Sequence, residues 1–136
     1  MSFPTQFGIM ACAGLAWGAL AKDIDLSKLP PPSSRTGVTY AADIKPILDK
    51  SCIKCHGPER SKAKLRLDSL EGILKGGHDG KVILPGASAK SMLIINVAHL
   101  GDDDDWMPPP DNKLHIHALT SGQIGLIRAW IDQGAK

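Results

Sequence analysis

With 136 residues the chain has the length of one domain, and its N-terminal part reads as removable. The formal charge of +2 is close to balance, so the total gives no ground for expecting nucleic acid as a partner. Residues 1–21 carry no charged side chain, and an apolar run of small residues over 7–20 leads into Ala19-Leu20-Ala21. An h-region followed by an Ala-x-Ala cleavage signature marks an export signal over 1–21, which places the mature protein in the periplasm or another extracytoplasmic compartment. The segment lacks the Lys or Arg that normally opens such a signal. An uncleaved membrane anchor, a buried core helix and a lipoprotein site at Cys12 are therefore the competing readings.

Residues 22–38 are polar and proline-rich around Pro30-Pro31-Pro32-Ser33-Ser34. Such composition favours extended, solvated backbone, so the segment reads as a linker ahead of a domain over 39–136. Across 39–51, Tyr40, Ile44, Ile47 and Leu48 recur on one helical face, with a kink or restart expected at Pro46. Tyr40 on that face is read as core.

Cys52-Ile53-Lys54-Cys55-His56 follows. Two cysteines separated by two residues, with a histidine directly after, are the arrangement that attaches a c-type haem. On one helical turn both thiols reach the vinyl groups of one porphyrin and become thioethers, while His56 is carried beneath the iron as the proximal ligand. The same pair can be half of a zinc site or a dithiol redox pair. Zinc needs two further ligands, and the chain offers no second cysteine pair, only scattered histidines. A dithiol has no use for the histidine and normally follows a strand in a βαβ pattern, which is absent. Covalent haem attachment also agrees with export. If the signal ends at Ala21, Cys12 leaves with it and the thioethers consume Cys52 and Cys55, so no disulfide forms. The mature chain then keeps Tyr40, Trp106 and Trp130 as its aromatics, thin material for a core that a buried macrocycle would complete.

Gly57-Pro58 ends the helical turn. Arg60, Lys62, Lys64 and Arg66 then form a basic run, preceded by Lys50 and Lys54. Because Lys54 lies between the cysteines, this charge sits near the haem edge, where it steers an acidic redox partner or simply faces solvent. Arg66 is a candidate for a haem propionate and equally for a salt bridge to Asp68 or Glu71. Residues 65–69 alternate apolar and polar, 70–74 form a short helix broken by Gly76-Gly77, and 81–84 run extended to the turn at Pro85-Gly86. Ser88 is placed to cap a helix to about residue 98, with Leu93, Ile94 and Val97 inward.

Asp102-Asp103-Asp104-Asp105 stays solvated, binds a hard cation such as calcium or meets a basic partner, although the spacing is not that of an EF-hand. Met107, between Trp106 and three prolines, offers a soft thioether suited to haem iron. Met/His coordination raises the reduction potential into the electron-transfer range. The prolines stiffen the loop that holds the sulfur. His78, His99, His115, His117 and Met92 are the rival distal ligands, with Met92 read as helix core and His115 and His117 projecting to one side of an extended segment. The last helix is marked by the capping box Thr120/Gln123, the stripe Ile124, Ile127, Trp130 and Ile131, and a stop at Gly134. Trp130 is expected against the haem or the first helix.

Asp43-Ile44-Lys45-Pro46-Ile47-Leu48, Cys52 to Pro58, Leu65-Arg66-Leu67-Asp68-Ser69, Lys75-Gly76-Gly77, Pro85-Gly86, Ser91-Met92-Leu93-Ile94, Met107-Pro108-Pro109 and the closing Ala129 to Ala135 together resemble the planctomycete-type cytochrome c domain. This is a branch of the small class I cytochromes c, and the resemblance covers about residues 40–135. It implies an all-α, class I-like fold in which helices and long loops wrap one covalently bound haem c. It further implies Cys52 and Cys55 as anchors, and His56 and Met107 as axial ligands. The family often occurs joined to catalytic or binding modules, whose activities do not carry over. The expectation is an exported monohaem electron carrier, not itself an enzyme, serving redox protein partners that dock near Lys54 and Lys62, with no small-molecule substrate. The alternative is a haem enzyme or a gas- or peroxide-responsive protein whose distal site is open or labile.

Overall fold

The computed structural model describes residues 23–136; the export signal expected over 1–21 lies outside them. Hydrogen bonding closes locally, in turns and short helices: α1 (Lys45–Ser51), α2 (Leu70–Lys75), α3 (Met92–Val97) and α4 (Ser121–Asp132). Among the described residues there is no strand, only the isolated bridges His56–Ser61 and Gly77–Gly80. The class is all-α, as the sequence predicts.

The first helical stretch shows how local chemistry sets these boundaries. Thr39 Oγ1 accepts the Ala42 N–H and the Asp43 carboxylate accepts the Thr39 N–H at 2.9 Å, a reciprocal cap. A π-helical turn over Tyr40–Ile44 follows, and α1 restarts with Pro46 in its first turn, where the missing N–H leaves no bond unmade. Ile44, Ile47 and Leu48 are buried and form one core with the stripe of α4, whose capping box at Thr120/Gln123 is fully formed. Trp130 is fully buried, with its ring 6.1 Å from that of Tyr40 and its Nε1 donating to the Lys136 carbonyl. It packs on the start of the first helical stretch.

Two segments differ from expectation. Residues 23–38 run mostly extended apart from a 3-10 turn over Leu26–Lys28, and although most of them are exposed they are strapped onto α4. Leu29 and Val38 are buried, Arg128 Nη1 donates to the Pro30 carbonyl at 2.6 Å, the Ser33 N–H donates to the Gly125 carbonyl, and Gln133 Nε2 donates to the Arg35 carbonyl. The polar composition that suggests a linker serves instead to satisfy backbone groups along a helix. The helix expected from Ser88 is also divided: a 3-10 turn over Ser88–Lys90 ends at Ser91, which takes extended dihedrals before α3 begins. Ser91 is buried, with Oγ donating to the Ala87 carbonyl and accepting the Leu84 N–H. Ser88 is fixed by the Asp132 carboxylate. Ser91 closes the 84–91 turn on itself, and Ser88 ties it to α4 through a partner distant in sequence, which overrides local capping preference.

Candidate haem site

α1 ends at Ser51 and delivers Cys52 at its C-terminus. The helix does not run through the motif. The N–H groups of Cys55 and His56 both donate to the Cys52 carbonyl, at 3.2 and 3.0 Å, so the two thiols and the imidazole occupy a single turn. Gly57 closes it: a Cβ there would lie 2.2 Å from the Ile53 carbonyl oxygen, so no other residue fits without moving the turn. The chain then doubles back. The Lys62 N–H donates to the Cys55 carbonyl and the Leu67 N–H to the His56 carbonyl, both at 2.8 Å. Ala63 and Lys64 adopt left-handed dihedrals, φ 56° each, an uncommon conformation for such residues. That tight fold presents the Lys62 carbonyl to His56 Nδ1 at 3.0 Å. Nδ1 therefore carries the proton in that bond, and Nε2 keeps the lone pair a metal needs.

The thioether belongs to a separate segment. The Met107 N–H donates to the Asn96 carbonyl at the end of α3, at 3.0 Å. Pro108 is buried behind it, and Trp106 lies flat on His99, with ring centroids 5.0 Å apart and planes at 5°. Cys52, Cys55, His56 and Met107 all line one cavity of about 370 Å³, within the size range of ligand pockets, roughly 300–1,000 Å³. Its walls are largely apolar, with Leu65, Leu67, Val82, Leu93 and Val97 among them.

Electrostatics separates the candidate chemistries. Burial pushes the Cys52 thiol up to about 12, with the Cys55 thiol adding to the shift. A dithiol redox pair needs the opposite, a thiolate stabilised near neutral pH. Burial holds the His56 pKa below its ordinary value, against the pull of its backbone hydrogen bonds, so the ring is neutral and able to ligate. Among the described residues no group of three or more His, Cys, Asp or Glu side chains is placed to hold a metal ion. The donor set fits a covalently attached haem on chemistry and on packing. Two thiols and an imidazole share one turn, a thioether stands on another segment, and Met92 and Leu114, 43% and 49% exposed, turn apolar surface toward the cavity.

Of the rival distal ligands, His78 and Met92 also line the cavity, whereas His99, His115 and His117 do not. Ile116 enters the wall, held by a pair of bonds to the Asn112 side chain, while His115 and His117 on either side are exposed. Met92 is corrected from core residue to cavity residue. Arg66 pairs with Asp68 at 2.6 and 2.7 Å. Lys50, Lys54, Arg60, Lys62 and Lys64 are exposed and stand outside the cavity wall. Asp103–Asp105 form a 3-10 turn whose last residue reaches the cavity. Sequence reasoning missed the Lys62 carbonyl, since backbone acceptors leave no trace in residue type. It also missed Asn96, whose only signal was a polar residue among the apolar positions of α3.

The helical fold and the cavity lined by Cys52, Cys55, His56 and Met107 fit a small, all-α cytochrome c-like fold. The family Planctomycete cytochrome C matches residues 52–111, and over that segment, which holds Cys52, Cys55, His56 and Met107, the chain is similar to that family of c-type cytochromes. No curated protein and no solved structure matches the chain.

Proposed function

We propose that the chain is an exported monohaem c-type cytochrome that carries single electrons between redox partners outside the cytoplasmic membrane. Cys52 and Cys55 would hold the haem covalently, His56 would ligate through Nε2 and Met107 through its thioether. The observation that carries this reading is that these four side chains, about fifty residues apart in sequence, line one apolar cavity. A haem held between two protein ligands supplies an iron that cycles between ferrous and ferric while no substrate binds it. The chain's own part is to fix both ligands, to exclude water with Leu65, Leu67, Val82, Leu93 and Val97, to keep His56 neutral by burial, and to orient its ring by hydrogen bonding Nδ1 to a carbonyl. The exposed lysines around the motif, Lys54 and Lys62 among them, would attract an acidic partner to the haem edge.

The test is an absorption spectrum of protein matured in a host able to attach haem c, ferric and reduced, with and without carbon monoxide. A weak red charge-transfer band in the ferric form and no response to carbon monoxide support the closed Met/His carrier. Ready carbon monoxide binding overturns it in favour of an open-site enzyme or sensor, and absence of covalent haem removes the reading altogether. Reversing charge at Lys54 and Lys62 should slow reduction by an acidic partner at low salt; an unchanged rate returns that face to plain solvation.

A further inference from the structure

The strap that lies along α4 also reaches the loop that bears Met107. Leu29 is buried, and beyond it the strap fits α4 too closely for a side chain: a Cβ on Gly125 would lie 2.7 Å from the Pro31 carbonyl oxygen. Ahead of Leu29 the chain makes the 3-10 turn over Leu26–Lys28, capped by Asp25, whose carboxylate accepts the Ser27 N–H at 3.1 Å. That turn sets Ile24 against the end of α3, where it bounds, with Ile95, Gly101 and Asp105, a second cavity of about 190 Å³. Met92, Asn96 and Asp105 line this cavity and the haem cavity alike, so the two spaces share a wall.

Gly101, at φ +74°, turns the chain from the end of α3 into the Met107 loop. It has no side chain of its own to pack. Apolar cover comes instead from Ile24 Cδ1 and Ile95 Cγ2, each 3.6 Å from where its Cβ would stand. The Asp105 and Trp106 N–H groups donate within the loop, to the Asp102 and Asp103 carbonyls, and do not fasten it to α3; the Met107 N–H does, through the Asn96 carbonyl. A loop held at its ends beside a cavity has room to shift, and few apolar contacts oppose that opening. The contact of Ile24 on Gly101 is one of them, and it is made by a residue more than seventy positions away in sequence.

We infer that Ile24 is a positioning residue for the distal ligand: by closing over Gly101 it pins the start of the 101–107 loop to the end of α3 and keeps the Met107 thioether in the haem cavity. The inference rests on the reading of Met107 as axial ligand. With the strap seated the distal site is closed; with Ile24 removed the loop gains the second cavity to move into, and an outside ligand displaces the thioether more readily.

The experiment titrates imidazole into the ferric haem-bearing full chain, which reads how firmly Met107 holds its place, and follows the red charge-transfer band on heating alongside global unfolding. Imidazole should bind Ile24→Ala about tenfold more tightly than the parent, and the band should fade before the chain unfolds. Leu29→Ala, a strap residue in the core and away from the loop, should lower the unfolding temperature while its imidazole affinity stays that of the parent. Should Ile24→Ala fail to accumulate, Ile24→Val, which removes only the Cδ1 that reaches Gly101, replaces it with a smaller shift in the same direction. Parent-like imidazole affinity in the Ile24 variant, or an equal rise in Leu29→Ala, overturns the inference and leaves the strap a purely stabilising element. Met107→Ala, run in parallel, separates the two readings: if it retains the parent's red charge-transfer band, Met107 is not the ligand and the role assigned to Ile24 falls with it.

Discussion

The two flanks of the cavity are built on different plans. The proximal flank, residues 52–67, is closed by its own backbone: bonds from Cys55 and His56 to Cys52, from Lys62 to Cys55 and from Leu67 to His56 span at most a dozen residues. The distal flank depends on partners elsewhere. Met107 hangs on one backbone bond to α3, and Trp106 and His99 stack with Trp106 Nε1 and His99 Nε2 buried and unpartnered. Buried groups without partners weaken a packing arrangement, so the proximal side is the rigid base and the distal side the adjustable one. On the reading of Met107 as axial ligand, tuning of the potential through that ligand would fall to the flank that is less tightly bound.

The largest expected effect breaks the proximal side. Replacing Cys52 and Cys55 together by Ser should abolish covalent haem, seen as loss of the haem absorbance that otherwise survives denaturation and extraction. Met107→Ala should leave that covalent haem in place, lower the potential and open the iron to carbon monoxide. Equal haem loss in both variants would mean that the flanks are not independent.

Glycine substitutions compare the flanks in the polypeptide itself. Gly57→Ala drives a Cβ to 2.2 Å from the Ile53 carbonyl, and backbone on both sides leaves little to yield. A destabilisation of about 3 kcal/mol or more is expected, at the upper end of overpacking costs. Gly101→Ala, ahead of the distal loop, meets Ile24 and Ile95 at ordinary contact, 3.6 Å, and is penalised only for its φ of +74°, which costs about 1–2 kcal/mol. Chemical denaturation of the two variants should rank them in that order; a larger loss at Gly101 would make the distal flank the rigid one.

The same division explains what the sequence discloses. Cys52, Cys55 and His56 are legible because one turn contains all three, and the Thr120/Gln123 box because capping is local. The strap over 23–38 is not legible: its contacts with Arg128 and Gln133 reach across about ninety-eight residues, and composition alone describes a solvated linker. Met107 stands out through its chemistry and its prolines. Met92 was misread because helical periodicity cannot distinguish a core from a cavity wall that a cofactor covers. Asn96 became significant only when the fold set it beside Met107.

The smallest effect tests whether the proximal side can be loosened without touching the distal one. Asp43, which caps the turn leading into α1, is held below the usual carboxylate range, first by the Thr39 N–H and then by the Arg35 guanidinium 2.8 Å away. A carboxyl whose folded pKa lies below its unfolded value of 3.8 binds protons more readily when unfolded. Its contribution is therefore complete above the unfolded pKa and disappears as pH falls through the folded one. Asp43→Asn should be modestly less stable than the parent at neutral pH, and the two denaturation midpoints should converge as pH falls below the unfolded value of 3.8 and through the lower folded one. Because the carboxylate acts on the entry to α1 and not on α3, the charge-transfer band of Met107 should be the same in both proteins at neutral pH. A band that weakened with the Asp43 cap would show that strain at the start of α1 reaches the thioether, and the two flanks would have to be treated as one mechanical unit.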